Sequence, residues 1–134
     1  NREVPGHLAN RLQAAMWREA IYLLEQGVAS VEDIDKAVSY GPGLRWALMG
    51  PNLILHLAGG TGGIKHAIDH LGPSLEKWWS DLGSIEEFSP EAKNKLIQGI
   101  EEQVKGRSIN ELVNDRDALL ELLVKTLNSE KSKS

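Results

Sequence analysis

The stretch from Leu8 to Val38, LANRLQAAMWREAIYLLEQGVASVEDIDKAV, predicts that the chain begins with two successive helices. Gly27 predicts the end of the first helix, because glycine readily adopts the left-handed conformation of a helix C-terminus. Residues 30–33, SVED, resemble a capping box with Asp in place of the usual Glu or Gln, and predict the start of the second helix. Apolar residues in the first helix recur every three or four positions over about four or five turns, as on one helical face: Leu8, Leu12, Ala15, Met16, Ala20, Leu23 and Leu24.

The middle of the chain is rich in glycine, with seven of the thirteen glycines between positions 40 and 63. We expect residues 40–50 to be mostly irregular. Pro51 predicts the first turn of a further helix, because its fixed φ suits that position and its missing N–H costs nothing there. Three apolar side chains of this helix are expected to face inward: Leu53, Ile54 and Leu57.

The segment AGGTGG at residues 58–63 raises the question of a phosphate-binding loop. Such a loop needs a strand before it and a helix after it, so that backbone N–H groups converge on the anion. AGGTGG follows a predicted helix and lacks both the G-x-G-x-x-G spacing and the lysine of a Walker loop. We therefore interpret it as a connector with no cofactor-binding role, leading to a helical segment at residues 64–71. Pro73 then predicts the start of a separate short segment that carries Trp78 and Trp79.

The C-terminal part of the chain contains two further helix starts. Ser-Pro at residues 89–90 is typical of an N-cap followed by the first helical residue, and predicts a helix that ends near Lys105. Residues 108–111, SINE, form a complete capping box and predict the last helix, while the polar residues 128–134 are expected to be disordered. No stretch alternates long enough to predict a strand, although residues 2–4 could end one. The sequence therefore predicts an all-α fold with six or seven helices.

Composition narrows the possible functions. The 134 residues are enough for one domain, and the formal net charge of −4 disfavours non-specific binding to nucleic acid. No apolar run approaches the roughly 20 residues of a membrane span. There is no cysteine for a disulfide or a thiolate metal site, which fits a cytoplasmic location. Because the chain opens with Asn1 and shows no signal peptide, we expect it to be part of a longer cytoplasmic protein.

A combination of motifs resembles a known family, the C-terminal domain of the 3-hydroxyacyl-CoA dehydrogenase superfamily. Pro-Gly at residues 5–6 and Asn-Arg at residues 10–11 precede a long helix that ends in glycine, as in that family. The SVEDID run at residues 30–35 is similar to its next helix, and MGP at residues 49–51 matches the landmark that follows. His7 departs from the pattern, because the family usually has Phe at this position.

The rest of the chain resembles one branch of that superfamily. Residues 41–79 and residues 106–127 look like the corresponding parts of the L-carnitine dehydrogenases. The branches that oxidise 3-hydroxyacyl-CoA esters such as 3-hydroxybutyryl-CoA, or L-gulonate, remain alternatives. The resemblance implies a helical fold like the C-terminal domain of 6-phosphogluconate dehydrogenase over residues 6–127, with residues 1–5 ending the connection from a preceding domain.

The resemblance also implies how such a protein works as a whole. A preceding Rossmann domain would bind NAD and carry a catalytic His–Glu pair, and the present chain would form a homodimer and one wall of the cleft for a small-molecule substrate. The chain by itself is then expected neither to bind NAD nor to oxidise carnitine. An alternative is that it acts only as a non-catalytic dimerisation module.

Three residues are candidates for the substrate site. By the resemblance, Asn10 lies at the catalytic centre, where a neutral amide can donate to the reacting oxygen or hold the catalytic His; the alternative is a local cap at the helix start. Arg45 could bind the substrate carboxylate bidentately, and Trp46 could bind its trimethylammonium group by cation–π attraction. Trp78 and Trp79 could add aromatic surface, but core or interface packing is the commoner use of tryptophan.

Four other polar residues have weaker functional interpretations. His66 and His70 have the i, i+4 spacing of a zinc-binding pair, but no motif supplies a third ligand, and we expect no metal. His56 is interpreted as a pocket or interface residue. Glu19 lies among the apolar positions of the first helix and is expected to be buried and paired.

Overall fold

A computed structural model of the chain describes residues 5–131; residues 1–4, which include the possible strand end, and residues 132–134 lie outside the described residues. Within the described range there is no strand, which confirms the all-α prediction. The chain divides into two compact units, Asn1–Ile100 and Glu101–Ser134, and the candidate site lies in the first. Residues 5–131 form seven α-helices: α1 His7–Glu25, α2 Val31–Tyr40, α3 Pro42–Leu48, α4 Pro51–Ala58, α5 Gly63–Asp81, α6 Pro90–Val104 and α7 Ile109–Lys131.

The first helix ends where glycine predicts. Gly27 has a φ of 69°, and its N–H donates to the carbonyl of Leu24 at 3.1 Å. The N–H of Val28 donates to the carbonyl of Leu23 at 3.0 Å. These two bonds make a Schellman motif, which satisfies carbonyls that the helix end would otherwise leave without a donor.

The predicted capping box at the start of α2 is present. The N–H of Asp33 donates to the hydroxyl of Ser30 at 3.1 Å, and the Ser30 hydroxyl donates to the Asp33 carboxylate at 2.6 Å. The pKa of Asp33 is lowered because its carboxylate accepts hydrogen bonds from the hydroxyl and the backbone N–H of Ser30, and the positive charge of Lys36 lowers it further. The pKa of Glu111 is lowered in the same way in the second unit, because its carboxylate accepts from the backbone N–H and hydroxyl of Ser108.

We expect the Asp33 capping box to make the stability of α2 depend on pH in the acidic range. A carboxylate whose pKa is lowered by folding stabilises the folded state above its unfolded pKa, and this stabilisation is lost as the pH falls below about 4. Asp33→Asn should therefore lower the melting temperature at pH 7 and flatten its dependence on pH between 3 and 7. Circular dichroism melts measure both effects. Asp81→Asn is the control, and identical pH profiles for the two variants would contradict the assignment.

Residues 42–48 correct one prediction, because they form the short helix α3 rather than irregular chain. Pro42 stands at the start of α3, where its fixed φ favours a helical turn. The glycines before and after Pro42 allow the start of α3 to lie close to the backbone at the end of α2. A Cβ on Gly41 would lie 2.3 Å from the carbonyl oxygen of Ala37, and one on Gly43 would lie 2.8 Å from that of Val38.

Two other segments are more helical than predicted. α5 runs without interruption from Gly63 to Asp81, so Pro73 lies inside a helix rather than opening a new segment. α5 packs against α4 along its first part, and such tertiary packing can outweigh the cost of an internal proline. α7 continues to Lys131, so residues 128–131, predicted to be disordered, are helical.

The buried core of the first unit is small. Ile21 and Leu24 of α1 and Val31 of α2 are buried, and a Cβ on Gly99 of α6 would lie only 2.3 Å from the Val31 side chain. The expected inward packing of α4 is wrong for Leu53 and Leu57, which are 51% and 56% exposed; Ile54 is half-buried. Several other large apolar side chains of this unit are also exposed: Leu8, Leu12, Trp17, Ile68, Trp78 and Trp79.

Among residues 5–131, the helices all lack the combination of length and apolar content that crossing a bilayer requires.

Candidate functional site

A groove of about 390 Å³ runs beside the first half of α1 and contains Asn10. Its walls come from α1 alone: Asn10, Gln13, Ala14, Met16 and Trp17. Asn10, Ala14 and Trp17 stand four and three residues apart, a spacing that places them on one helical face. The groove therefore has the amide of Asn10 at one end and the ring of Trp17 about two helical turns further along.

Asn10 does not cap the start of α1. The N-cap of α1 is Gly6, and no side chain caps it. Asn10 is the fourth residue of the helix and is exposed, and its amide makes no hydrogen bond to any other part of the described chain. The local-cap alternative for Asn10 therefore has no support in the observed geometry.

A second groove, of about 270 Å³, continues from the first, because Ala14 and Trp17 line both. The ring of Trp17 meets that of Phe88 edge-to-face, with centroids 5.4 Å apart and planes inclined by 68°. The floor also includes Ile21 of α1 and Ile85 of the segment between α5 and α6. Three charged residues complete the lining: Arg18, Glu86 and Glu87.

The α5–α6 segment is held against α1 by two carboxylates. Glu19, half-buried as well as paired, accepts a hydrogen bond from the N–H of Gly83 at 2.8 Å. Gly83 lies so close to α1 that a Cβ there would be 2.3 Å from the ring of Tyr22. The carboxylate of Glu25 accepts from the hydroxyl of Ser89, which also caps α6 by accepting from the N–H of Ala92 at 3.0 Å. These contacts fix the wall that carries Phe88.

Trp17 is the functional candidate that the sequence interpretation missed. The tryptophans considered for a role in substrate binding came from the glycine-rich region and from the segment after Pro73, not from α1. Trp17 lies seven residues after Asn10, and that spacing returns to the same face of a helix after two turns. The periodicity of α1 was therefore a sufficient indication that Trp17 lines the site of Asn10.

Arg45 and Trp46 are not brought together with Asn10 in the described chain. Both lie on α3 and are exposed, and neither lines the groove of Asn10 or the groove of Phe88. Their substrate-binding role stays a prediction.

The glycine-rich connector joins two helices at very short range. A 3₁₀ turn at Gly60–Gly62 links α4 to α5, which confirms the interpretation as a connector. A Cβ on Gly59 would lie 1.8 Å from the carbonyl oxygen of Gly63, and one on Gly63 would lie 2.7 Å from the ring of His56. The Nδ1 of His56 accepts a hydrogen bond from the N–H of Ile64 at 3.0 Å. His56 thus satisfies one of the backbone N–H groups at the start of α5 that the helix itself leaves without an acceptor.

His66 and His70 stack on one face of α5, with ring centroids 5.9 Å apart and planes inclined by 1°. Within the described residues, no three His, Cys, Asp or Glu side chains come together in a group that could hold a metal ion. That the chain takes no metal stays a prediction.

Comparison with known proteins identifies the family of this chain. The family model of the 3-hydroxyacyl-CoA dehydrogenase C-terminal domain matches residues 6–98, and the chain belongs to this family. The chain is similar to L-carnitine dehydrogenase from Streptomyces coelicolor, with 50% identity over 117 residues, which are 87% of this chain and 36% of that protein. It is 47% identical to L-carnitine dehydrogenase from Bacillus cereus over 125 residues, 93% of this chain and 38% of that protein.

A third relative, L-carnitine dehydrogenase from Nocardiopsis dassonvillei, is 46% identical over 126 residues, 94% of this chain and 38% of that protein. The chain therefore spans little more than a third of the length of these curated relatives, and nearly all of the chain takes part in each match.

Proposed function

We propose that the chain is the C-terminal domain of a dehydrogenase that oxidises L-carnitine to 3-dehydrocarnitine with NAD. The observation that supports this most strongly is the 50% identity with the Streptomyces coelicolor L-carnitine dehydrogenase over 117 residues. The 3-hydroxyacyl-CoA and L-gulonate dehydrogenases are the alternatives within the superfamily. The cytoplasm is the proposed location.

In this proposal Asn10 is the catalytic contribution of the chain. Oxidation of a secondary alcohol to a ketone removes the hydroxyl proton and a hydride from the same carbon, so charge develops on the oxygen. A neutral amide that donates to this oxygen stabilises that charge without itself titrating. Asn10 fits the role because it is exposed and lines a groove, and because its amide makes no hydrogen bond to any other described residue.

The described residues do not fit a dinucleotide site. A dinucleotide-binding loop lies between a parallel strand and a helix, whereas residues 5–131 contain no strand and their glycine-rich turn joins two helices. We therefore assign NAD to a preceding Rossmann domain, as the family resemblance implies.

Homodimer formation is the second part of the proposal. Small monomeric domains rarely expose large contiguous apolar surfaces, and such surfaces commonly mark interfaces. The first unit exposes large apolar side chains on α1, α4 and α5, among them Leu12, Leu57 and Trp79. A second copy and the preceding domain are the proposed partners that cover them, and two-fold dimers are the commonest arrangement.

The proposal predicts that dehydrogenase activity requires the preceding domain as well as this chain. The protein that includes the preceding domain should reduce NAD when L-carnitine is added, and the 134-residue chain alone should neither do so nor bind NAD. Absorbance of NADH measures the first result and titration calorimetry the second. Activity with 3-hydroxybutyryl-CoA or L-gulonate but not with L-carnitine would overturn the substrate assignment. Micromolar NAD binding by the chain alone would overturn the assignment of the cofactor.

A further inference from the structure

The α5–α6 segment, residues 82–89, contains no helix, so its position depends on contacts with other parts of the chain. Two of these contacts come from α1. Glu19 accepts a hydrogen bond from the N–H of Gly83 at 2.8 Å, and Glu25 accepts one from the hydroxyl of Ser89. Two carboxylates of a single helix are thus hydrogen-bonded near the two ends of the segment.

The hydrogen bond to Gly83 is the harder of the two to replace. Gly83 is buried, and a Cβ there would lie 2.3 Å from the ring of Tyr22. A backbone N–H that is buried without an acceptor carries the full cost of its desolvation. Glu19 is half-buried, lies one helical turn before Tyr22 and supplies that acceptor. Removing the Glu19 carboxylate should therefore release the segment from α1.

The same segment contacts a side chain of the Asn10 groove. Phe88 meets Trp17 edge-to-face, with ring centroids 5.4 Å apart. Trp17 lines both the groove of Phe88 and the groove of Asn10. Glu19 lines neither groove, and residues two apart in a helix, such as Trp17 and Glu19, do not face each other. Any effect of Glu19 on the Asn10 groove must therefore pass through the segment.

We propose that Glu19 is a positioning residue for the substrate groove. By holding the α5–α6 segment, it keeps Phe88 against Trp17 and so fixes one wall of that groove. The inference rests on the proposed function, because it takes the groove of Asn10 as the substrate site. A wall contacts the substrate equally before and during the reaction, so its displacement weakens binding rather than the chemical step. Glu19 therefore affects KM, whereas Asn10 affects kcat.

Three substitutions in the protein that includes the preceding domain test the inference. Glu19→Ala should raise the KM for L-carnitine on the order of 10-fold and change kcat much less, because a displaced wall weakens substrate and transition-state binding alike. Glu19→Gln keeps an oxygen that can accept from the N–H of Gly83 and should retain most of the wild-type KM. Gly83→Ala should raise KM as Glu19→Ala does, because its Cβ meets the ring of Tyr22. The KM for NAD should stay unchanged in all three.

Hydrogen exchange separates positioning from a general loss of stability. Mass spectrometry should show faster exchange in the peptide that contains Gly83 for Glu19→Ala but not for Glu19→Gln. Glu76→Ala is the matched control, because Glu76 is an exposed glutamate of α5 that lines neither groove. It should leave both KM and exchange unchanged. If Glu19→Ala does not fold, Glu25→Ala releases the other end of the segment and decides by the same two measurements.

The two ways of failing can be told apart. A wild-type protein that does not oxidise L-carnitine overturns the proposed function, and this inference with it. With an active wild type, a Glu19→Ala variant that loses kcat and melting temperature at unchanged KM has a structural role only, which overturns this inference alone. Equal impairment of Glu19→Gln and Glu19→Ala would show that the site requires the charge of Glu19, and would contradict positioning through the N–H of Gly83.

Discussion

Gly59→Ala should lower the unfolding free energy of the chain by about 3 kcal/mol, near the upper end of the usual cost of overpacking. The added Cβ would lie 1.8 Å from the carbonyl oxygen of Gly63, 2.6 Å from its carbonyl carbon and 3.0 Å from the backbone nitrogen of Ala67. All three atoms belong to the backbone of α5, so no flexible side chain can move aside. α4 and α5 must therefore separate. Denaturation with guanidinium, followed by circular dichroism, measures the loss.

Two other glycines separate this steric effect from a general effect of replacing glycine. Gly50 has an ordinary φ of −63° and open space around its Cβ position, so Gly50→Ala should be nearly neutral. Gly60 also faces open space but has a φ of 55°, so Gly60→Ala should cost only about 1 to 2 kcal/mol of backbone strain. Equal stability of Gly59→Ala and Gly50→Ala would show that the α4–α5 contact is not as close as the structure has it.

The helix ends were predictable because each depends on a few neighbouring residues. Gly27 ends α1 through bonds to Leu23 and Leu24, all within one turn. Ser30 and Ser108 begin their helices through contacts three residues away. Capping geometry of this kind is local, and the residue types that form it are few. A single sequence therefore contains all the information needed.

The segments that were predicted wrongly depend on contacts between helices, or on the lack of such contacts, and neither can be read from residue types alone. The glycines around Pro42 looked like breaks, but they permit a close approach to α2, which sequence spacing does not reveal. Pro73 looked like a helix start, but α5, which packs on α4, continues through it to Asp81. Leu53 and Leu57 were assigned to a core that the described chain does not provide. In each case a contact between neighbouring helices, or its absence, overrides the local preference.

In the candidate site, too, one residue could be predicted from a local motif and another could not. Asn10 came from a motif, and the structure places it in a groove without testing its role. The wall formed by Phe88 could not be predicted, because Glu19 and Glu25 hold it from more than sixty residues away. Such contacts follow from the folded arrangement alone.

Asn10→Ala in the complete dehydrogenase is expected to lower turnover on the order of 100-fold to 1,000-fold, the usual cost of losing one preorganised donor at a reacting oxygen. Stability should change little, because Asn10 is exposed and does not cap α1. Asn10→Asp tests the chemistry further. It keeps the shape of the side chain but replaces the donating NH₂ by a carboxylate oxygen, so a donor role predicts a loss at least as large. A role in packing would be preserved. Turnover with L-carnitine and a thermal melt of each variant supply the two measurements.

Asn94→Ala is the matched control for this last prediction, because Asn94 is also an exposed asparagine inside a helix and lies away from both grooves. It should keep near-normal turnover and a melting temperature close to that of Asn10→Ala. The difference in rate between the two variants then isolates what the amide at position 10 contributes to the transition state. Near-normal turnover in Asn10→Ala would show that this amide does not act on the reacting oxygen. The C-terminal domain would then contribute a wall and an interface but no catalytic group from the start of α1.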